Sequence, residues 1–267
     1  MDSSLKSTAL ITGASSGIGA IYADRLANRG HNLILVARNR ERLDSLAARI
    51  TNDTGRSVEV IVADLNNRAD LARVEQVLRT DATITVLVNN AGIAMFGDLA
   101  NADPDRLESM IQLNVLAPTL LALAAIPGFV VRGSGTLINI SSVLALAPER
   151  FNGSYSGTKA YLLNLSLRLQ QEVASKGVRV QVVLPGATRT AIWEKAGIDI
   201  ATLPPSMLMD VDKMVDAALV GLDRGESVTI PSLPEIADWE AYEAARQNMI
   251  PKLSLRSPAV RYSVTAA

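Results

Sequence analysis

Two side chains with complementary proton chemistry, Tyr155 and Lys159, stand four residues apart in the chain. On a helix this spacing places both on one face, one turn from each other. A phenol has a pKa of about 10, and a nearby ammonium favours the phenolate, so we expect Lys159 to lower the pKa of Tyr155 towards the range useful for acid–base catalysis. Ser142 follows an apolar run, and its hydroxyl could hydrogen-bond a carbonyl oxygen brought to Tyr155. The three residue types together predict a site that moves a proton while a hydride moves elsewhere.

The same Tyr-x-x-x-Lys spacing also occurs by chance on exposed helix faces, so its meaning depends on a glycine-rich stretch upstream. Residues 12–19 read Thr-Gly-Ala-Ser-Ser-Gly-Ile-Gly and connect an apolar strand, residues 8–12, to a helical pattern that ends at Gly30. A second apolar strand, residues 33–37, follows. Glycines let the backbone approach a pyrophosphate, and a helix N-terminus adds unpaired N–H groups and a positive dipole. This order of elements favours dinucleotide binding over a purely structural turn.

The residue after the second strand distinguishes between two nicotinamide cofactors. An acid there binds the ribose 2′-hydroxyl of NAD, whereas a basic residue accommodates the 2′-phosphate of NADP. This chain has Arg38 and no acid, and a guanidinium recognises phosphate by charge and bidentate geometry. We place Arg40 and Arg42 on the solvated face of the next helix. The sequence therefore predicts NADP(H) as the preferred cofactor, with NAD as the alternative.

Polar residues also follow the third and fourth strands of this pattern. Asp64 comes after residues 58–63, where it would either meet the adenine edge or cap the next helix. The run Asn89-Asn90-Ala91-Gly92 closes the strand over residues 84–88. Amides at the carboxyl end of a parallel strand can hold neighbouring strands and face a ligand in the crevice.

Asn114 lies inside a predicted long helix, residues 104–125, among apolar neighbours. A buried amide costs free energy unless its polar atoms are satisfied. Two interpretations remain open: a core amide satisfied by the protein, or a polar link through water to Lys159.

The remaining pattern alternates apolar strands with helices, which is typical of an α/β fold whose parallel sheet is covered on both faces. The predicted strands span residues 8–12, 33–37, 58–63, 84–88, 136–140, 178–184 and 227–230.

The regularity lapses after the sixth strand. Residues 187–210 mix apolar side chains with glycine and proline, which suits either a lid over a binding site or simple packing. We interpret residues 1–267 as a single domain, with a core over about 6–231 and a substrate-lid region over 187–225. Residues 232–267 form a C-terminal extension, predicted to be helical over 235–249 and to end in a tail packed on this or another subunit.

Composition excludes several classes of site. The chain has no Cys and a single His, which excludes disulfides, thiolate nucleophiles and Cys-ligated metals, and we expect no metal site. A formal net charge of −1 gives no reason to expect nucleic-acid or membrane-surface binding. No secretory signal is evident, and no apolar run is expected to span a bilayer, because Asn114, Pro118 and Pro127 interrupt the richest one, residues 113–131. We expect a cytoplasmic protein.

In this order, the motifs resemble those of the short-chain dehydrogenase/reductases over about residues 6–230. The matching positions are residues 12–19, Asp64-Leu65, 89–92, Asn114, Ser142, 155–159, Pro185-Gly186 and Thr190. The resemblance implies one Rossmann-like, doubly wound parallel sheet of about seven strands with helices on both faces.

The resemblance also implies roles for the family's Asn-Ser-Tyr-Lys tetrad. Tyr155 would be the acid or base, and Ser142 would orient and polarise the carbonyl. Lys159 would bind the nicotinamide ribose and lower the pKa of Tyr155, and Asn114 would anchor the water of a proton relay. The implied cofactor-binding residues are Gly13, Ser15, Ser16, Gly17, Ile18, Gly19, Arg38, Asp64, Leu65, Asn90, Ala91, Gly92, Tyr155, Lys159, Pro185, Gly186, Thr188 and Thr190.

The expected activity is an NADP(H)-dependent interconversion of a carbonyl and a secondary alcohol, on a small, partly apolar substrate. The family resemblance implies a homodimer or homotetramer, often formed through the helix that carries Tyr155. Two alternatives remain: a non-catalytic NADP(H) sensor, which would not need the whole tetrad, and a 3-oxoacyl-thioester reductase. The latter should show a basic patch for its carrier, for which Arg150, Arg189 and Lys195 are the candidates.

Overall fold

The structure, a computed structural model, describes residues 7–95, 97–150, 153–195 and 197–262. By the contacts within the chain, these residues belong to two units, 1–231 and 232–267. Each unit is described by itself.

The first unit is built on a seven-stranded parallel sheet with strand order β3-β2-β1-β4-β5-β6-β7. The sequence prediction of a doubly wound α/β fold is thereby confirmed. The strands are β1 (Thr8–Thr12), β2 (Asn32–Ala37), β3 (Val58–Val62), β4 (Ile84–Asn89), β5 (Gly135–Ile140), β6 (Val178–Val183) and β7 (Val228–Thr229). The helices of this unit are α1 (Gly17–Asn28), α2 (Arg40–Thr54), α3 (Arg68–Thr80), α4 (Pro104–Ile111), α5 (Ala117–Arg132), α6 (Gly153–Val173), α7 (Ile192–Lys195) and α8 (Val211–Asp223).

The strands are apolar at successive positions because both faces of the sheet are covered. Successive strand residues point to opposite faces. Ile11 and Leu35 therefore join a core cluster with side chains of α1, α2 and α8. Leu10 and Ile34 join the opposite cluster, with side chains of α3, α5 and α6. The carboxyl ends of all the strands meet at one edge, where the motif residues lie.

The segment Pro104–Arg132 is helical throughout its 29 residues, with a π-helical turn at Gln112–Leu116 between α4 and α5. Pro118 has no N–H to donate to the carbonyl of Asn114 four residues earlier, so a wider turn fits there. The expectation that polar and proline residues interrupt this segment was wrong: by length and composition alone it could cross a membrane. One face of α5, including Leu121 and Phe129, packs into the core of the first unit.

The described part of the second unit contains one long helix, α9 (Ile236–Met249), and short turns up to Tyr262. None of the residues of α9 is buried. Trp239 and Tyr242 stack on each other with ring centroids 5.5 Å apart. Apolar side chains of this unit are exposed, among them Leu253 and Leu255.

Candidate active site

Ser142, Tyr155 and Lys159 come together where β5 ends, beside the first two turns of α6. The Ser142 hydroxyl hydrogen-bonds the side chain of Tyr155. Lys159 donates from Nζ to the carbonyl of Ile140, the last residue of β5, at 3.0 Å. The Nζ atom lies 5.7 Å from the centre of the Tyr155 ring. The spacing predicted from the sequence therefore does place the phenol, the ammonium and the hydroxyl in one site.

Burial raises the pKa of Tyr155 to about 12, and the hydrogen bond with Ser142 lowers it only in part. The expectation that Lys159 lowers this pKa is not met in the structure. A buried phenolate loses its hydration, and here that loss outweighs the attraction of the nearby ammonium. Tyr155 is therefore a phenol, and thus a proton donor, at neutral pH.

Lys159 is itself buried, and burial lowers its pKa to about 8. Among the residues that the structure describes, no carboxylate pairs with its ammonium. Its nearest polar partner is the Ile140 carbonyl. Lys159 is thus a cation at neutral pH, held by a backbone dipole beside the phenol.

The amide of Asn114 has partners within the protein, as the first of the two interpretations left open by the sequence requires. Its Oδ1 accepts from the N–H of Ile93 at 3.0 Å, and its Nδ2 donates to the carbonyl of Ile93 at 2.9 Å. The second amide hydrogen goes to the hydroxyl of Thr158 at 3.1 Å. Both hydrogens are used within the protein, so the side chain ties the loop after β4 to α6, and the link through water to Lys159 stays a prediction.

Gly92 sits between these groups. A Cβ added to Gly92 would lie 3.0 Å from Asn114 Oδ1 and 3.6 Å from Lys159 Nζ. A larger residue at this position would therefore crowd both side chains. The run after β4 therefore contributes backbone that packs closely against Asn114 and Lys159.

The glycine loop between β1 and α1 packs against the neighbouring run after β4. A Cβ at Gly13 would lie 2.8 Å from Asn90 Nδ2, and one at Gly19 would lie 2.5 Å from the same atom. That amide donates to the carbonyls of Thr12 and Gly13 at 2.9 and 3.2 Å. The Asn90 amide nitrogen therefore shapes the loop, and the role of Asn90 in cofactor binding stays a prediction.

Thr12 was missed as a site residue because the sequence gives no sign of its partners. Its hydroxyl accepts from the N–H groups of Asn90 and Ala91, both at 3.0 Å. It thereby holds together the ends of β1 and β4, the two central strands that flank the crevice.

The N-terminus of α1 carries the remaining loop residues. Gly13 and Gly17 have positive φ angles, 66° and 57°, which glycine adopts readily. Ser16 stands at the N-cap position of α1, but its side chain makes no capping hydrogen bond. Uncapped N–H groups at a helix start, beside a backbone with no side chains in the way, fit the pyrophosphate of a dinucleotide. Ser15 and Ile18 are half-buried in the same turn.

Arg38 and Asp64 lie next to each other at the ends of β2 and β3. The Arg38 guanidinium is largely exposed, and its Nη1 lies 3.9 Å from Asp64 Oδ2. Asp64 does not cap α3, since Asn67 does so. The Asp64 carboxylate accepts from the N–H of Asn66 at 3.0 Å, while the adjacent Leu65 is buried in the core.

The segment after β6 folds back over the glycine loop. Val143 donates from its N–H to the carbonyl of Pro185 at 3.0 Å, and Thr188 donates from its hydroxyl to the carbonyl of Gly186 at 3.1 Å. A Cβ added to Gly17 would lie 3.3 Å from the Thr190 methyl group. Thr188 and Thr190 thus lie at the same edge as the N-terminus of α1.

Residues 187–210 form a loop that closes on itself at its base. Thr188 and Met209 pair as an isolated parallel bridge, and Arg189 Nε lies 3.2 Å from Asp210 Oδ1. The indole of Trp193 donates to the carbonyl of Thr188 at 2.7 Å. A cavity of about 470 Å³ lies within this loop, lined in part by Trp193 and Ile198.

Apolar side chains surround the Tyr155 phenol. Met95 and Met110 are buried in one cluster with Tyr155, and Leu107 and Leu144 pack against them. An apolar environment with one hydroxyl pair and one cation suits a substrate that presents a single polar group.

The basic patch expected for a carrier-bound substrate stays a prediction, because the structure describes the side chain of only one of its three residues. Arg189 is paired with Asp210. The side chains of Arg150 and Lys195 lie outside the described residues. Within the described part of the chain there is also no group of three metal-ligating side chains.

Comparison with known proteins decides the family. The family model described as short chain dehydrogenase matches residues 7–200. The chain belongs to the short-chain dehydrogenase family. Among solved structures, the chain is similar to a short-chain dehydrogenase from Sphingobium yanoikuyae in complex with NADPH. The two are 51% identical with a TM-score of 0.94, over 96% of this chain and 100% of that one.

The chain is also similar to two further proteins. A bulky-bulky ketone specific alcohol dehydrogenase from Comamonas testosteroni is 45% identical, with a TM-score of 0.89 over 96% of this chain and 98% of that one. The very-long-chain 3-oxoacyl-CoA reductase of Anas platyrhynchos is 36% identical over 73% of this chain. That match spans 64% of the length of the reductase, less than two thirds.

Proposed function

We propose that this short-chain dehydrogenase uses NADPH to reduce a ketone to a secondary alcohol, and catalyses the reverse reaction with NADP. The observation that carries the proposal is the buried contact of Ser142, Tyr155 and Lys159 at the carboxyl end of β5. The 51% identical relative from Sphingobium yanoikuyae, described in complex with NADPH, supports the cofactor. The exposed guanidinium of Arg38 at the end of β2 supports the preference for a 2′-phosphate.

The glycine loop, the N-terminus of α1 and Arg38 would hold the phosphates of the cofactor. Lys159 and the backbone around Gly92 would face its nicotinamide end, since Gly92 packs beside Lys159 and Lys159 lies beside the Tyr155 ring. When bound, the cofactor supplies the hydride that adds to the carbonyl carbon.

Tyr155 and Ser142 act on the carbonyl oxygen. Both hydroxyls donate hydrogen bonds to it, which polarises the carbonyl and fixes its position. As the carbon gains the hydride, the oxygen takes the proton of Tyr155 and leaves a phenolate. Lys159, a cation at neutral pH, stabilises that phenolate until a proton from solvent restores the phenol.

The pKa of Tyr155 determines which direction finds this side chain in the protonation state it needs at neutral pH. With a pKa of about 12, Tyr155 is almost wholly protonated at pH 7, so reduction finds its acid ready. Oxidation requires the phenolate, so its rate should rise with pH over the accessible alkaline range. We therefore expect reduction to be favoured at neutral pH.

We propose a ketone with two apolar substituents as the substrate. The apolar neighbours of Tyr155, Met95 and Leu144 among them, support this choice. So does the similarity to the alcohol dehydrogenase described as specific for bulky-bulky ketones. A 3-oxoacyl thioester is the second candidate, favoured by the match to the very-long-chain 3-oxoacyl-CoA reductase.

We further propose a homo-oligomer that buries the outer face of the helices around the π-helical turn. Leu116 and Leu123 on this segment are exposed, as is Tyr161 on α6. Exposed apolar side chains on neighbouring helices mark interaction surfaces. Light scattering should give a mass above one chain, and Leu123→Glu should lower it towards that of the monomer.

The first test of the proposed function is NADPH oxidation with a panel of ketones, aldehydes and 3-oxoacyl thioesters. Wild type is compared with Tyr155→Phe, and every assay is repeated with NADH. We expect turnover of bulky ketones that falls about 10²- to 10⁴-fold in Tyr155→Phe while NADPH binding is retained. Equal turnover by the two proteins would refute the role of Tyr155. Tight NADPH binding without turnover of any panel member would favour the sensor.

A further inference from the structure

Three consecutive residues at the end of β5 contact the two residues of α6 that carry the reacting side chains. The carbonyl of Ile140 accepts from Lys159 Nζ at 3.0 Å, and the hydroxyl of Ser142 bonds Tyr155. Between them, the hydroxyl of Ser141 donates to the backbone carbonyl of Lys159 at 2.7 Å. The proposed chemistry uses Ile140 and Ser142 but assigns no part to Ser141.

The backbone of Ser141 is held by the sheet. Its N–H donates to the carbonyl of Val183 in β6 at 2.8 Å, and the residue is only 3% exposed. Two residues later, Val143 is tied to Pro185 in the same way. The backbone that carries Ser141 and Ser142 is therefore held by the neighbouring strand and the turn after it.

The acceptor on the other side lies within α6. A helical carbonyl already accepts one hydrogen bond from the amide four residues later, and its second lone pair is free for another donor. The bond from Ser141 is thus not needed to satisfy that carbonyl. Its effect is to fix the turn of α6 that contains Lys159 at a set position along β5.

We propose that Ser141 is a positioning residue for the proposed reaction: its hydrogen bond sets the axial position of α6 relative to β5. A single shift of α6 along β5 would change both the Ser142–Tyr155 and the Ile140–Lys159 contacts. The inference rests on the proposed function, since the consequence for catalysis requires that Tyr155 and Lys159 are the reacting groups.

Ser166 provides a matched control on the same helix. Its hydroxyl accepts from Asn139 Nδ2 at 2.8 Å, so it also joins α6 to β5, and it is 1% exposed. It lies seven residues beyond Lys159, about 10 Å along the helix axis, away from the reacting groups. Ser166→Ala removes a buried contact between the same two elements and leaves Asn139 short of a partner, so it should destabilise the protein at least as much as Ser141→Ala.

The experiment compares wild type, Ser141→Ala, Ser141→Thr and Ser166→Ala, with kcat, KM and the thermal unfolding midpoint measured for each. We expect Ser141→Ala to lower kcat about tenfold or more while KM for NADPH changes less than about threefold, because misplaced reacting groups cost rate more than binding. Ser141→Thr keeps the hydroxyl and should recover most of the lost kcat. Ser166→Ala should keep kcat within about threefold of wild type despite its lower midpoint.

A second readout does not depend on turnover. In protein labelled at the lysine side-chain carbons, NMR titration follows Lys159, assigned with Lys159→Arg, without cofactor. The pKa of Lys159 is lowered to about 8 by burial, so a shifted α6 that admits water should raise its midpoint in Ser141→Ala but not in Ser166→Ala. If Ser141→Ala does not fold, Ser141→Cys, a weaker donor of similar size, takes its place and should show smaller changes of the same sign.

The outcomes separate the two proposals. Wild-type turnover with an unchanged kcat and Lys159 midpoint in Ser141→Ala overturns the positioning role and leaves the proposed function intact. Equal losses of kcat in Ser141→Ala and Ser166→Ala also overturn it, since the effect is then general destabilisation. No wild-type turnover refutes the proposed function, and the Lys159 midpoint still decides whether Ser141 positions α6.

Discussion

The site at the carboxyl end of β5 and the loop over residues 187–210 lie in the same unit but are built in different ways. Ser142, Tyr155 and Lys159 are each less than 9% exposed, and each bonds to a neighbouring strand or helix. The loop is tied at its base by the Thr188–Met209 bridge and the Arg189–Asp210 ion pair. Further along the loop, side chains such as Met207 are largely exposed.

This difference separates the rate of the reaction from the choice of substrate. Groups that must meet a developing charge are effective when they are held rigidly in a site that excludes water. A loop with few contacts to the rest of the unit can accept side-chain substitutions without destabilising the core. We therefore expect substitutions in the site at the carboxyl end of β5 to change kcat, and substitutions in residues 187–210 to change KM and substrate preference.

The largest effect is expected from Lys159→Met, which removes the buried cation at similar side-chain length. We expect kcat to fall about 10²-fold or more, since the ammonium then no longer stabilises the phenolate that Tyr155 becomes. The free energy of unfolding should stay the same or rise, because burial disfavours the ammonium, as its lowered pKa shows. Urea unfolding at pH 7 checks this, and a clear loss of stability would mean that Lys159 is needed for the fold.

The next effect is expected at the adenosine end of the crevice. Arg38→Asp should raise KM for NADPH about tenfold or more and change KM for NADH little, because a carboxylate repels the 2′-phosphate that the guanidinium would bind. Arg40→Asp is the matched control: Arg40 pairs with Asp44 on the exposed face of α2, and its change should leave the preference unaltered. An unchanged ratio of the two KM values in Arg38→Asp would remove Arg38 from the cofactor site.

A smaller effect is expected at the base of the loop. Asp210 pairs with Arg189 and lies 3.4 Å from Lys213, and all three side chains are about half exposed or more. Asp210→Asn should raise KM for the substrate by about two- to fivefold and leave kcat within about twofold, since exposed ion pairs contribute little energy. A fall in kcat without a change in KM would contradict the separation of rate and substrate choice.

The smallest effect is expected at the amino ends of the strands and concerns stability. There His31 shares a hydrogen bond with the Ser7 hydroxyl at 2.8 Å. Burial, with a contribution from Arg29, lowers the pKa of His31 below its ordinary value of about 6.5. Below that pH the unfolded chain binds a proton before the folded one does, so the free energy of unfolding should fall as the pH drops through this range. Urea unfolding at pH 7.5 and 5.5 should show this slope in wild type and a shallower one in His31→Gln.

The sequence was sufficient where chemistry depends on spacing along one element. The four-residue interval between Tyr155 and Lys159 correctly predicted that both lie on one face of a helix. The glycine-rich motif correctly predicted a loop between β1 and α1. The parallel sheet followed from strands that are apolar on both faces. The helix predicted over residues 104–125 continues through Pro127 to Arg132, and this continuation was missed because proline in an apolar run is read as a break although packing on the sheet can retain it.

The sequence was insufficient where an outcome depends on burial or on partners far along the chain. Burial raises the pKa of Tyr155, whereas the sequence predicted a lowered pKa. The spacing of residues along α6 does not show how deeply the phenol is buried. Asn114 found its partners in the backbone of Ile93, 21 residues away, and in Thr158. Ser141 could not be told apart from other serines until its bond to the Lys159 carbonyl was known.

The π-helical turn at Gln112–Leu116 changes the rotational phase of the helix that contains it. A π-helical turn accommodates one residue more than a regular α-helical turn, and each residue of an α-helix advances the chain by about 100°. The side of α4 that includes the buried Met110 and the side of α5 that includes Phe129 are therefore aligned by a count of residues that a regular helix could not match. If this turn were rewound into regular α-helix with every residue kept, α5 would turn by about 100°, and Phe129 would rotate out of the core before any catalytic side chain had been altered.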